Sequence, residues 1–298
     1  MNNIQTCVIG SYPIQIDPMN LMDDYFNQRE TIWNQFISQA ANDMINAGIN
    51  IISDGQTRDS MIGIFTRKLK GCRIRNRTEI IGKIEYDNPI TIEDQIFLRS
   101  IIPKNIQIKT ALTGPFTLTK SCVDLFYNNE KKLAFDFANA LKEEAEKLQN
   151  YVDYISIDEP FFSNYIPEYA KELISIITKN LKCPTTLHVC GDVTKIIPEL
   201  IEIPVDILSH EFKASSFLFN RFKDYSFKQQ LCVGSIRSDN PQIESVEDIY
   251  NHIEKALKIF GNKVTQISPD CGQRFLPQEI ALKKLRNLAL AGEKINGR

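Results

Sequence analysis

The chain has 298 residues, of which 43% are hydrophobic and 24% charged, proportions that support a buried core and exclude a disordered chain. A formal net charge of -2 leaves no basic surplus for a nucleic-acid partner, and no run reaches the roughly 18 apolar residues of a membrane helix. The amino terminus Met1–Thr6 has no basic stretch leading into an apolar one, so the expected compartment is the cytoplasm.

Short Val- and Ile-rich runs alternate along the chain with longer segments of helical periodicity. The first run is Cys7 to Gly10. A helix is predicted over Glu30 to Ala47, with Trp33, Phe36, Ile37, Ala40, Ala41 and Met44 on one face and Gly48 as its C-cap. Ile49 to Ile52 is the second run. A longer ribbon/helix excursion, Met61 to Asn105, follows; the alternation of Ile80 to Ile92 and the Asp87-Asn88-Pro89 turn predict an inserted β-ribbon within it. The basic run Arg67 to Arg77 inside it reads as a solvated helix end and loop. Ile108 to Leu112 is the third run, before a helix over Lys131 to Tyr151. Tyr154 to Ile157, Thr185 to His188, Asp206 to Ser209 and Leu231 to Gly234 come next, then a helix over Ser245 to Phe260 with a Ser245-x-x-Asp248 start, and finally Val264 to Ile267.

Eight such runs with helices between them predict an α/β fold, a (β/α)8 TIM barrel, formed by residues 1–298 as a single catalytic domain. No internal repeat, low-complexity tract or linker divides the chain.

A barrel of this kind builds its active site from the residues that follow its strands. In this chain those residues are chemically reactive: Gly10-Ser11, Asp54-Gly55-Gln56, Thr113-Gly114-Pro115, Asp158-Glu159-Pro160, His188-Val189-Cys190, His210-Glu211, Ser235-Ile236-Arg237 and Pro269-Asp270-Cys271-Gly272. Residues two apart in extended chain face the same way, so His188 and Cys190 can present an imidazole and a thiolate to one ion. Glu211 and Cys271, at later strand ends, complete a nitrogen, sulfur and oxygen set that suits zinc better than magnesium or calcium. Zinc holds a bound thiol as thiolate near neutral pH, although a free thiol ionises near pH 8.5. The seven cysteines contain no C-x-x-C pair, and Cys7, Cys122, Cys183 and Cys232 lie in or beside apolar runs, as small core residues do. Asp158 and Glu159 are adjacent and so point oppositely; Asp158 is expected at the barrel mouth, with Glu159 behind it. Asp54 and Asp270 read as turn and capping residues.

These segments together resemble the catalytic domain of cobalamin-independent methionine synthase, most closely its short archaeal-type members that consist of that domain alone. The resemblance rests on Ile9-Gly10-Ser11-Tyr12-Pro13, Ser53-Asp54-Gly55-Gln56-x-Arg58, Leu112 to Pro115, Ile157 to Pro160, His188-x-Cys190, Glu211 and Pro269 to Gly272, and spans nearly the whole chain. It implies zinc held by His188, Cys190, Glu211 and Cys271. It also implies homocysteine as acceptor beside Ile9, Gly10 and Ser11, with Ser11 and backbone groups taking its carboxylate and Asp158 its ammonium.

The long folate-dependent members differ at several positions. Gln56 stands where they have a glutamate that helps bind the amino acid, and Arg237 where they have a proton-donating histidine; Ser121 and Asn164 fall near their folate-side tryptophan and glutamate. The short members' resemblance therefore points to methylcobalamin, or a methylated corrinoid protein, as methyl donor, with Arg67, Lys68 and Arg237 available to an acidic partner. Two alternatives stand beside this reading: transfer to another thiol such as coenzyme M, and a barrel that binds zinc or corrinoid without turnover.

Overall fold

The structure is a computed structural model and describes residues 3–15, Met22 and 32–297. Its strands are β1 (Gln5–Thr6), β2 (Ile51–Ile52), β3 (Lys70–Ile74), β4 (Thr78–Glu85), β5 (Gln107–Thr113), β6 (Val123–Asp124), β7 (Tyr154–Asp158), β8 (Thr185–Val189), β9 (Ile207–His210), β10 (Gln230–Ile236) and β11 (Val264–Pro269). Eight of them pair in the order β1-β11-β10-β9-β8-β7-β5-β2. All these pairings are parallel, and a further parallel bridge between Cys7 and Ile51 joins the first strand to the last. The expected (β/α)8 barrel is therefore closed.

Seven of the eight predicted runs overlap a barrel strand, with ends displaced by a few residues, and the first lies just after its strand. The largest displacement is at the start, where regular pairing covers Gln5–Thr6 and Cys7 contributes only a bridge. The first predicted helix is Ile32–Asn46; its expected start at Glu30 lies outside the described residues, and Gly48 follows it at φ +88°, a conformation that favours glycine. The helix Val246–Phe260 begins as expected, with Ser245 Oγ accepting from the Asp248 amide.

The excursion after β2 needs correction. It does contain a ribbon, but the antiparallel partners are β3 and β4, and the reversal lies at Arg75 to Arg77 rather than at Asp87-Asn88-Pro89. Within the basic run Arg67 caps the helix Met61–Thr66, as a helix end was expected, but Lys70–Ile74 is the first ribbon strand rather than loop; residues 92–101 supply the helix expected in the excursion. Arg73 sits across from Glu79 and pairs with it, which is why a stretch this basic tolerates strand conformation. Glu144, fully buried on the helix Glu130–Leu148, accepts from the Tyr86 hydroxyl, the Ile90 and Thr91 amides and Thr91 Oγ1, and so ties the chain after the ribbon to the barrel wall.

Side chains alternate across the barrel wall. Ile155, Ile157, Leu187, Val189, Leu208, Leu231, Val233 and Ile267 belong to the large core shared with the helices. Cys7, Ile9, Ile51, Ile207 and Cys232 form a separate small cluster. The same period of two sets Ser156, Asp158, His188 and Ser209 apart from those apolar neighbours. The barrel register places Asp158 beside His188, and His188 beside Ser209.

Candidate functional site

The strand ends converge on a cavity of about 590 Å³ lined by Ile9, Gly10, Ser11, Gln56, Asp158, His188, Cys190, Glu211 and Cys271. These are the metal- and acceptor-side residues expected from the sequence. Ligand atoms of His188, Cys190 and Cys271 all lie within 4.8 Å of one another. Cys190 Sγ is 2.9 Å from Cys271 Sγ and 3.2 Å from His188 Nε2. The other ring nitrogen of His188 meets Ser209 Oγ at 3.1 Å, a contact that fixes the ring so that Nε2 faces the thiols.

Glu211 shares this cavity, although its carboxylate stands outside the tight group of three. Burial raises its proton affinity and Cys271 raises it further, while the amide of Gly191 opposes the shift. Asp158 is also held above the ordinary carboxylate range, chiefly by burial, with His188 and the hydroxyl of Ser156 acting the other way. Of the two thiols, Cys271 is favoured as thiolate through its contacts with Cys190 and His188, and Cys190 retains its proton because of Cys271 and burial. Two thiols, two carboxyls and one imidazole thus crowd a region with an excess of acidic groups, each anion making the next harder to form. A divalent cation relieves that conflict, and the nitrogen and sulfur donors fit zinc.

The loops that carry these residues are braced. Gly10 and Gly55 adopt φ of +45° and +74°, and Gln56 holds the left-handed conformation at φ +47°, which costs a non-glycine residue energy that its surroundings must supply. Asp54 accepts from the Gln56 amide at 3.0 Å and from Gln95, while Arg274 donates to the Gln56 carbonyl. Asp270 accepts from the amides of Lys213 and Ala214, fixing the chain after Glu211 to the chain before Cys271. Both aspartates serve the turns, as their sequence context suggested. Glu159 faces away from the cavity and accepts from the Phe116 and Thr117 amides at the start of the helix Pro115–Ser121, and from Thr117 Oγ1.

Arg237 departs from expectation. It is absent from the cavity lining and instead borders a separate depression with Lys213 and Glu244. The reason is local: its guanidinium makes two hydrogen bonds to Asp239, at 2.8 and 2.6 Å, and Asp239 is the residue that reaches the cavity. Arg67 is similarly tied to Asp59, and with Arg58 and Lys68 it lines a pocket distinct from the thiol site. Ser238, Met61 and Phe275 line the cavity and were not expected there. Ser238 was detectable only through its place beyond a strand end; its hydroxyl donates to the Cys271 carbonyl at 2.6 Å and accepts from the Cys271 amide, clamping that residue. Phe275 carried no sequence signal, yet its side chain is 95% exposed at the cavity lip.

Residues 4–294 match the model of the family described as cobalamin-independent synthase, catalytic domain. The chain belongs to that family. A methionine synthase of Methanocaldococcus jannaschii is 35% identical, the alignment covering 97% of this chain and 99% of the relative. One from Methanothermobacter marburgensis is 34% identical over 97% and 99% of the two chains. Among solved structures, a B12-independent methionine synthase from Shewanella sp. W3-18-1, in complex with selenomethionine, superposes with a TM-score of 0.83 at 25% identity, covering 99% of this chain and 98% of that one. A methyltransferase from Methanosarcina mazei, 16% identical, shares the fold at a TM-score of 0.73, with coverage of 99% and 95%. The family and its curated relatives make the chain a methyltransferase of the methionine synthase type. Among the described residues, no helix is long and apolar enough to cross a membrane.

Proposed function

We propose that residues 1–298 act as one catalytic barrel in the cytoplasm, transferring a methyl group to the thiol of L-homocysteine to give methionine. The observation that carries this reading is the meeting of His188, Cys190 and Cys271 within 4.8 Å in the cavity that also exposes Asp158. His188, Cys190, Glu211 and Cys271 would hold zinc. When bound, that ion supplies the charge that keeps an acceptor thiol ionised at neutral pH.

The chain's own residues do the positioning. Asp158 has a carboxyl that burial keeps partly in need of a counter-charge, and the ammonium of an amino acid supplies one. Ser11 and the backbone around Ile9 and Gly10 face the same space and suit the carboxylate end, while Gln56 offers a neutral amide to the polar groups between. Holding both ends of the acceptor points its sulfur toward the thiol cluster, so binding energy is converted into alignment with the donor. Asp158 also favours homocysteine over coenzyme M, whose sulfonate end would meet a carboxylate.

The donor reading is a methylcobamide, free or carried by a corrinoid protein. The cavity lining includes Met61, Pro241, Phe275, Leu276 and Pro277, an apolar group suited to a large ring face. The Shewanella relative is described as B12-independent, which favours a different donor in that protein. One assay separates these: homocysteine with methylcobalamin or methyltetrahydrofolate, each with and without a zinc chelator. Methionine from methylcobalamin, abolished by the chelator and restored by zinc, is expected. Product from methyltetrahydrofolate alone would overturn the donor, and product from neither would leave a binding barrel without turnover.

A further inference from the structure

Inside the barrel, packed against the cavity-lining Ile9, lies a second group of reactive side chains that methyl transfer does not use. Lys109, only 3% exposed, places Nζ 3.0 Å from Cys7 Sγ. Cys7 Sγ is 3.5 Å from Cys232 Sγ, which reaches Ser268 Oγ at 3.4 Å. Both cysteines are completely buried, clustered with Ile9, Ile51 and Ile207. An ammonium persists in such surroundings only beside an anion, and the partner in contact here is a thiol group. An amine and a thiol therefore touch in a space sealed from water.

Two oxidative links are chemically conceivable, and the fold separates them. Cys7 follows β1 and Cys232 lies in β10, with β11 between these strands. Neighbouring strands are about 4.8 Å apart, so two spacings set these backbones roughly 9.6 Å apart, beyond the about 7 Å that a disulfide spans. Their sulfurs approach each other only because both side chains point inward. Lys109, by contrast, reaches Cys7 on a flexible four-carbon stem, and one oxygen atom fits between Nζ and Sγ with little movement of either.

The geometry points to Lys109 and Cys7 as a modification site, at which dioxygen forms an oxygen-bridged Nζ–O–Sγ cross-link inside the barrel. The Lys109 amine and the Cys7 thiol react with one dioxygen molecule. The O–O bond breaks, N–O and O–S bonds form, and the second oxygen leaves as water with one hydrogen from nitrogen and one from sulfur; the other amine hydrogen stays on nitrogen. Nitrogen and sulfur each give up two electrons, which together reduce dioxygen fully. Dioxygen is small and apolar, so it enters dry interiors that exclude water.

Intact-mass measurement and peptide mapping of the full chain, kept under air or treated with reductant, test this. The air-exposed chain gains about 14 Da, one oxygen less two hydrogens, relative to the reduced one. Proteolysis then yields a peptide joining Cys7 to Lys109, absent after reduction and absent in Cys7→Ser but retained in Cys232→Ser. The wild-type map alone decides the matter if Cys7→Ser fails to fold. A Cys7–Cys232 disulfide, oxygen on Cys7 without linkage, or no cross-linked peptide after prolonged exposure to air would each overturn the proposal.

Discussion

The adjacent carboxyls of Asp158 and Glu159 face opposite sides of the barrel wall, and replacing each by its amide should separate architecture from chemistry. Glu159 is fully buried and accepts three hydrogen bonds, from the Phe116 amide at 2.9 Å, the Thr117 amide at 2.8 Å and Thr117 Oγ1 at 2.6 Å. In Glu159→Gln the single remaining oxygen can serve Thr117, and the new NH2 group is then forced against the Phe116 amide. One buried donor left without a partner costs about 1–3 kcal/mol, and losing the negative charge at a helix start adds about 0.3–1. The expected loss is therefore about 1–4 kcal/mol in urea unfolding, with turnover per folded molecule little changed. Asp158→Asn keeps an oxygen for Ser156, so its stability should stay within about 1 kcal/mol of the parent. Its Michaelis constant for homocysteine should rise by about 10–100-fold, the worth of a charge-assisted hydrogen bond. A Glu159→Gln chain of parental stability, or an Asp158→Asn chain with unchanged homocysteine dependence, would refute the assignment of the two faces.

Three further outcomes follow from the same geometry. Arg237→Ala should keep turnover within about threefold in the methyl-transfer assay, because its side chain is engaged by Asp239 outside the cavity; a loss of about a hundredfold would restore it to the reaction. Phe275→Ala should raise the Michaelis constant for the methyl donor and leave that for homocysteine unchanged, since the ring stands at the lip and not beside Asp158; equal effects on both would contradict this. Asp54 is pushed up to about 6 by burial, with Asp94 adding to the shift, so the folded chain holds this proton above the range where the unfolded chain releases it. The stability it contributes is present below about pH 4 and lost as pH rises through about 6, by up to about 3 kcal/mol. Asp54→Asn should flatten that part of the stability profile measured by urea unfolding, and an unchanged slope would count against a raised affinity at this site.

The barrel was legible because parallel strands buried on both faces read as compact Val- and Ile-rich runs; seven of the eight runs overlap a strand and the first follows directly on one. The residues after those runs were readable for the same reason: His188 and Cys190 share a face through strand alternation alone. The ribbon was misplaced because two segments in it alternate, and Asp87-Asn88-Pro89 supplied a stronger turn signal than Arg75-Asn76-Arg77, which turns without glycine or proline. Arg237 was placed by position after a strand, but the direction of a long side chain depends on neighbours, here Asp239 only two residues away. Ser238 and Phe275 escaped notice since their roles arise from loop paths, which sequence periodicity does not encode. The polar contents of the barrel interior, Lys109 above all, lay hidden inside a run that reads simply as a strand.

Zinc X-ray absorption on the protein loaded with one equivalent of zinc tests the central assignment most directly. Two sulfur neighbours near 2.3 Å with nitrogen or oxygen neighbours near 2.0–2.1 Å are expected, falling to one sulfur in Cys271→Ser, and homocysteine should add sulfur to the shell. A shell of nitrogen and oxygen alone, or one that neither Cys190→Ser nor Cys271→Ser alters, would contradict the account.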